Sequence, residues 1–331
     1  MSTLSMNQPF DEFDGVKALA PGHPVFLLAA ADKSYLVIKQ ETAVGAKVNL
    51  NANLKAMAAG TGKATGKVLV QGELDTIRDF LQDSQDALRQ LRIPEPAGVT
   101  ALRTAFIVPG TWYKMPEAPG VIDLKAAVND MINNQDKTGV RAIAKSLNAA
   151  GGMEMLGRIV AVDLYNGNTD RFVADGLGGA LNPRTNARFR VIQNIGNILL
   201  AVENGKLRPV GLDSFESASI YADVTKTIPA IEQNDAGMAP GWSGRKLTDA
   251  QVAWRHQFAQ SICDDLEDAW GPRNRKLGFL RKQRLNGDAA ARLVRGMRDA
   301  VTELKNHIRI KAAKINAPAG LASRLTILEG G

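Results

Sequence analysis

GRIVAVDLYNGNTDRF, residues Gly157 to Phe172, and NIGNILLAVENGKLRPVGLDSF, residues Asn194 to Phe215, are the two halves of the stretch on which the reading of this chain turns. In the first half an apolar helix end, Ile159 to Val162, runs into the turn Asn166-Gly167-Asn168-Thr169-Asp170-Arg171, which is too polar to be core. In the second half Asn197 leads into the apolar strand Ile198 to Val202, and Glu203-Asn204-Gly205 closes it. Asn-Gly between two apolar runs is a hairpin signal. The returning strand, Leu207 to Leu212, delivers Asp213 at its end.

A hairpin brings the start of its first strand beside the end of its second, so Asn197 and Asp213 are expected side by side at one end of the ribbon. Two oxygen ligands then share a site. Magnesium takes few protein oxygens and draws the rest from water and substrate phosphates, so an Asn with an Asp suits Mg-ATP. Asp170, on the preceding turn, is placed to orient a hydroxyl or accept its proton, as phosphoryl transfer requires.

The order of these residues, Asp-Arg after an Asn-Gly-Asn turn, then Gly-Asn-Ile-Leu, an apolar strand and Leu-Asp, resembles the catalytic and metal loops of the atypical protein-kinase-like fold. The actin-fragmin kinase branch is the nearest in pattern, with type II phosphatidylinositol 4-kinases and bacterial persistence-toxin kinases as relatives. The resemblance implies a catalytic role for Asp170 and a metal-binding role for Asn197 and Asp213. It departs from ordinary protein kinases in spacing: residues 170 and 197 lie 27 positions apart, where those enzymes place the corresponding pair about five apart. The actin-fragmin branch is similar to this chain in accepting an insertion there.

Composition bounds the alternatives. A chain of 331 residues with a hydrophobic fraction of 45% has ample material for one or two globular cores. The single cysteine, Cys263, excludes an internal disulfide framework, and His23, His256 and His307 are scattered without metal-ligand spacing. Neither zinc chemistry nor a cysteine–histidine nucleophile is expected. The start, MSTLSMNQPFDEFDG, carries no basic segment followed by an apolar one, and no run approaches the ~20 apolar residues of a membrane span. A cytoplasmic protein, or one delivered into a host cell by a route without a cleaved signal, is expected.

Toward the amino terminus, Val25 to Ala29 and Tyr35 to Lys39 read as strands around an Asp32-Lys33-Ser34 turn. Tyr-Leu-Val-Ile-Lys resembles the Val-Ala-Ile-Lys strand of kinases, which makes Lys39 the expected ATP-phosphate lysine. Its acidic partner is left open by the residues: Ala43 to Ala59 reads as a helix without an acid, so Glu41 or Glu73 would have to serve. Gly22 stands where a phosphate-covering loop is expected, although no G-x-G-x-x-G is present. GTGKATG, Gly60 to Gly66, lacks the hydroxyl after its lysines that a Walker-type loop needs. Glu73 to Leu91 spaces its apolar residues as an amphipathic helix stopped by Pro94 and Pro96. Thr104 to Val108 and Thr111 to Met115 read as strands. Met115 to Gly120 then has the stiffness of an interlobe hinge, with Met115 and Glu117 expected against adenine.

Beyond it, Val121 to Ile132 and Lys137 to Leu147 read as helices, and Asp175 to Arg190 as a glycine-rich basic interval that either lines a substrate cleft or is a long loop. Two further helices are expected after Thr248-Asp249 and across Leu293 to Ile308. Between Arg273 and Lys314 thirteen Lys/Arg face three acids, in a chain of formal charge +7; such a stripe suits an acidic protein, an anionic surface or nucleic acid, or is simply a solvated face. No nucleic-acid fold signature accompanies it, so nucleic acid is not favoured.

The expectation is therefore an α+β, two-lobed kinase-like fold with an amino-terminal lobe over 1–115 and an enlarged helical lobe over 116–331. Its reaction would be transfer of the ATP γ-phosphoryl group, with Mg2+, to a Ser or Thr hydroxyl of a protein substrate, with or without an activating host or partner protein. Lipid kinase and AMP-transferring chemistry are alternatives. From another class comes a catalytically inactive scaffold that holds a polyanion on its basic helices.

Overall fold

The computed structural model describes residues 4–20, 22–61, 66–117, 122–166, 171–172, 192, 195–203, 205–211, 249–267, 270–271, 275–276 and 285–314. The chain divides into two compact units, the first Met1–Leu50 with Ala64–Ala118, the second Asn51–Lys63 with Pro119–Gly331. The second boundary lies between Ala118 and Pro119. Residues Asn51–Lys63 go with the second unit, which the sequence division at 115/116 does not anticipate.

The first unit is built on a five-stranded antiparallel sheet in the order β1-β2-β3-β5-β4. Its strands are β1 Gly15–Ala18, β2 Val25–Ala29, β3 Tyr35–Glu41, β4 Lys67–Val68 and β5 Thr111–Pro116. Alternation decides the faces. Phe26, Leu28, Leu36, Ile38 and Trp112 are buried together with Ile77 and Leu81 of α2 (Gln71–Leu91) and Val99 and Leu102 of α3 (Ala97–Ile107). Each such side chain contributes about 1.5–3 kcal/mol when fully buried. Gly98 lets α3 approach β1 closely, since a Cβ there would lie 2.6 Å from the Val16 carbonyl oxygen.

Two readings are corrected here. Thr104 to Val108 is not a strand: residues up to Ile107 belong to α3. A run of five apolar or β-branched residues fits either element, and the buried pair Val99 and Leu102, spaced three apart, shows the helical period that starts earlier. Val121 to Ile132 is not helical throughout either. Ile122–Asp123 forms β6, and α4 (Leu124–Asn133) starts after it because the Asp123 carboxylate accepts from the amides of Lys125 at 2.7 Å and Ala126 at 3.1 Å.

The amino-terminal segment is part of the same core. Leu4, Phe10 and Phe13 are buried in it, and the Leu4 amide donates to Ser34 Oγ at 2.7 Å. Lys114, on the core face of β5, donates to the carbonyl oxygens of Ser5 at 3.0 Å and Gln8 at 2.8 Å and to Glu73 Oε1 at 2.7 Å. These are the three bonds an ammonium can donate.

The second unit is mainly helical: α4, α5 (Thr138–Asn148), α6 (Gly152–Asn166), α7 (Asp249–Glu267) and α8 (Ala289–Lys314), with the sheet β6-β7-β8 formed by Ile122–Asp123, Ile198–Glu203 and Lys206–Gly211. A two-stranded pair, β9 Trp270–Gly271 and β10 Arg275–Lys276, lies between α7 and α8 in the chain. Helices α6 and α8 cross at backbone contact. A Cβ at Gly157 would lie 2.0 Å from the Leu293 carbonyl oxygen, and one at Gly296 would lie 1.9 Å from that of Glu154. Around the crossing Met153, Leu156, Val160, Leu293, Met297 and Leu304 are buried. Beside it, Arg292 donates to both Glu154 oxygens, Nη2 reaching Oε2 at 2.8 Å, and to the carbonyl of Ala149 at 2.5 Å.

Part of the charge read as an outward stripe is thus internal. Arg292 is buried, and Asp299 and Glu303 of the same helix pair with Arg158 of α6.

Candidate functional site

In the first unit, Lys39 lies on β3, the central strand, with Val25 of β2 and Tyr113 of β5 as its cross-strand neighbours. It therefore stands on the face opposite the core. That face carries Val25, Leu27, Val37 and Met115, all half-buried, around the lysine, and Tyr113, which is buried. The Lys39 ammonium meets Glu41 Oε1 at 2.9 Å. The ammonium is thus a cation carried by a rigid strand within a half-buried apolar face.

The partner left open between Glu41 and Glu73 is Glu41. Glu73 is committed to Lys114, whose side chain is 4% exposed, against 13% for Lys39.

Gly22 lies in the connection between β1 and β2, exposed, with φ of 76°, and a Cβ there would meet nothing within 4 Å. The turn is closed by the Leu19 amide to the Val25 carbonyl at 2.9 Å and the His23 amide to the Ala20 carbonyl at 3.1 Å. Met115 is on β5 paired with Val37, and Glu117 follows the strand, exposed.

In the second unit, Asn197 ends a 3-10 turn, Ile195–Asn197, and enters β7, whose first residue Ile198 pairs with Gly211 at the end of β8. The expected hairpin register is present over Ile198–Gly211, with Gly205 at φ of 73° in its turn. Asp170 and Asp213 lie outside the described residues, as does the interval from Asp175 to Arg190.

What is described around them is firmly anchored. Arg171, next to Asp170 in sequence, is 1% exposed and holds the fully buried Asp163 of α6 through two bonds, Nε to Oδ2 at 2.6 Å and Nη2 to Oδ1. A Cβ at Gly211 would lie 2.9 Å from the Arg171 guanidinium carbon, so glycine is what lets β8 run past it. Phe172 and Ile192 form an antiparallel bridge, and the Ile192 amide donates to Asp265 of α7 at 3.1 Å. The backbone thus meets itself again twenty positions after Phe172. The sequence reading of Arg171 as part of a turn too polar for the core is corrected, since its paired guanidinium is buried, and Asp163 was passed over. The signal for them was an Asp on an otherwise apolar helix end, Ile159 to Val162 followed by Asp163, which nothing but a buried partner would accommodate.

Cys263 offers no nucleophile. It is buried in α7, and burial, then the charges of Asp264 and Glu267, push its thiol up to about 12. Among the described residues no group of His, Cys, Asp and Glu could hold a metal ion, and no helix is long and apolar enough to cross a membrane.

No family model matches the chain, and no curated protein matches it. Among solved structures it is similar to HipA of the Shewanella oneidensis MR-1 toxin–antitoxin system, solved with HipB and operator DNA. The TM-score is 0.31 and the identity 8%, over 92% of this chain and 69% of that one.

Proposed function

We propose that this chain is a kinase-like phosphotransferase that moves the γ-phosphoryl group of ATP to a Ser or Thr hydroxyl of a protein. The observation that carries the reading is Lys39: a lysine on the third strand of an antiparallel sheet, paired with a carboxylate and set in a half-exposed apolar face. Protein kinases carry their phosphate lysine on that strand. The two-lobed arrangement, with the second unit as an enlarged helical lobe, belongs to the same proposal.

Lys39 would hold the α- and β-phosphates, Met115 and Glu117 would face the base, and Gly22 would let the β1–β2 connection approach the phosphates. Asp170 would orient the acceptor hydroxyl. As the hydroxyl oxygen bonds to the γ-phosphorus, the bond to the β-bridging oxygen breaks, ADP leaves, and the hydroxyl proton passes to the Asp170 carboxylate. The side-chain oxygen of Asn197 and the carboxylate of Asp213 are an all-oxygen donor set suited to magnesium, which neutralises phosphate charge when bound. Asn197, half-buried at the start of β7, fits that role.

Incubation with magnesium and γ-labelled ATP, with and without bacterial or eukaryotic lysate, tests this. Label on a protein band that disappears in Asp170→Ala and Asp213→Ala is expected. Label from α-labelled ATP alone would mean AMP transfer, and label extracted with lipid would mean a lipid acceptor. A second reading, a scaffold that holds a polyanion, is favoured by Arg295, whose side chain is 66% exposed on α8. It predicts no label from either nucleotide and binding to a polyanion that Arg295→Glu weakens.

A further inference from the structure

Glu41 closes β3 two residues after Lys39, and side chains two apart on a strand leave the same face. The resulting ion pair, 2.9 Å between Lys39 Nζ and Glu41 Oε1, is contained in one strand. The carboxylate is itself held. Asn49 of α1 (Ala43–Ala58) donates its Nδ2 to the same oxygen at 3.3 Å. A Cβ at Gly45 would come within 3.1 Å of the other oxygen, Oε2, so the glycine in the first turn of α1 leaves the space that the carboxylate uses. Thr42 opens that helix by accepting the Gly45 amide on Oγ1 at 3.0 Å. The Glu41 carboxylate therefore lies against a helix amino terminus, where negative charge is stabilised.

The helix offers no other choice. Its sequence, AVGAKVNLNANLKAMA, contains no acid, and Glu73 is occupied by Lys114. In protein kinases the glutamate that pairs with the phosphate lysine is carried by the helix, and moving that helix makes or breaks the pair. Here a strand residue occupies that place.

We propose that Glu41 is the positioning residue for Lys39: the strand supplies both members of the pair, and the amino-terminal turns of α1 hold the carboxylate. The inference rests on the reading of Lys39 as the phosphate lysine. Its consequence is that a shift of α1 would loosen the support of the carboxylate without taking the carboxylate off the lysine's own strand.

The test compares wild type with Lys39→Met, Glu41→Ala, Glu41→Gln and Asn49→Ala, all full length and checked by thermal unfolding. Phosphorus NMR of bound Mg-ATP reports the environment of the α- and β-phosphates, and γ-label turnover gives kcat and KM. Glu41→Ala is expected to shift the α and β resonances as Lys39→Met does, and to lower kcat by up to about a hundredfold, the scale on which a 1 Å misplacement acts. Glu41→Gln, which keeps an acceptor, should recover part of both, and Asn49→Ala, which removes one support of the carboxylate, should fall between wild type and Glu41→Ala. Wild-type phosphorus signals and kcat in Glu41→Ala would overturn the proposal, as would Asn49→Ala losing as much as Glu41→Ala. If wild type binds no ATP, or Lys39→Met leaves its phosphorus spectrum unchanged, the phosphate-lysine reading fails first and takes this inference with it.

Discussion

Lys39 and Lys114 occupy neighbouring strands of one sheet, one register step apart, and point to opposite faces. Each meets a glutamate at under 3 Å, yet the two pairs do different work. Lys114 spends its three bonds on Ser5, Gln8 and Glu73 and is sealed in the core. Lys39 keeps 13% of its side chain open to solvent and has a strand-borne carboxylate beside it. The second unit has fastened pairs as well, Arg171 with Asp163 and the buried Arg292 with Glu154. A sealed pair fastens a chain segment, because a desolvated charge left without its partner is costly. A pair that water still reaches loses less when it is broken.

The sharpest way to break this comparison is Lys114→Met. It leaves Glu73 buried without its cation and releases the carbonyl oxygens of Ser5 and Gln8. A loss of about 3–5 kcal/mol is expected, read from urea unfolding, together with rapid proteolysis near the amino terminus. A variant as stable as wild type would place Lys114 in the same class as Lys39.

Next in size is Gly296→Ala. A methyl group 1.9 Å from the Glu154 carbonyl oxygen has no space, so α6 and α8 must separate. About 3 kcal/mol is expected, the upper part of the range for overpacked cores, with Gly157→Ala similar because it meets the Leu293 backbone. The two together should cost less than their sum, since either one already opens the same crossing.

These features mark where the sequence was readable and where it was not. Local periodicity exposed α2, α5, α7 and α8, and Asn204-Gly205 exposed the β7–β8 hairpin, because in each case the signal lies within a dozen residues. The strand β1 escaped notice because Gly-Val-Lys-Ala is four residues with one charge in the middle. Thr104 to Val108 misled because a short apolar run has no period of its own. Lys114 and Glu73 looked like a strand lysine and a helix-start acid; that they meet depends on a contact across 41 positions. Of the candidate site, the strand lysine and the asparagine at the hairpin were legible, whereas the Glu41 partnership needed the geometry of the α1 amino terminus. Asp170 and Asp213 remain readings of the sequence.

Glu154→Gln should have a smaller, pH-dependent effect. Burial raises the Glu154 carboxyl, but the hydrogen bond from Arg292, one from its own backbone and the charges of Arg292 and Arg295 bring it below the ordinary carboxylate range. Its folded pKa lies under the unfolded one, so its contribution is complete above about pH 4.3 and fades as pH falls through the folded value. Wild type should exceed the Gln variant by roughly 1–2 kcal/mol at neutral pH, and urea midpoints of the two should converge in strong acid. A gap that persists there would mean that packing, not charge, makes the difference.

The smallest effect on stability, and the one that most sharpens the comparison, is expected for Lys39→Met. The lysine is 13% and the glutamate 28% exposed, so water reaches the pair, and the remaining Glu41 keeps Asn49 and the α1 amino terminus. Surface pairs are worth about 0–1 kcal/mol and sealed ones several times more; this pair stands between them, and the methionine offsets part of the loss by apolar contact with Val25 and Tyr113, its cross-strand neighbours. The unfolding midpoint should therefore stay near wild type while affinity for Mg-ATP or turnover falls. A large loss of stability would make Lys39 a second Lys114, a structural cation on the other face, and would remove the ground for assigning it to phosphate. A stable variant that binds and turns over ATP as wild type does would leave the fold as it is and move the phosphate contact to another residue.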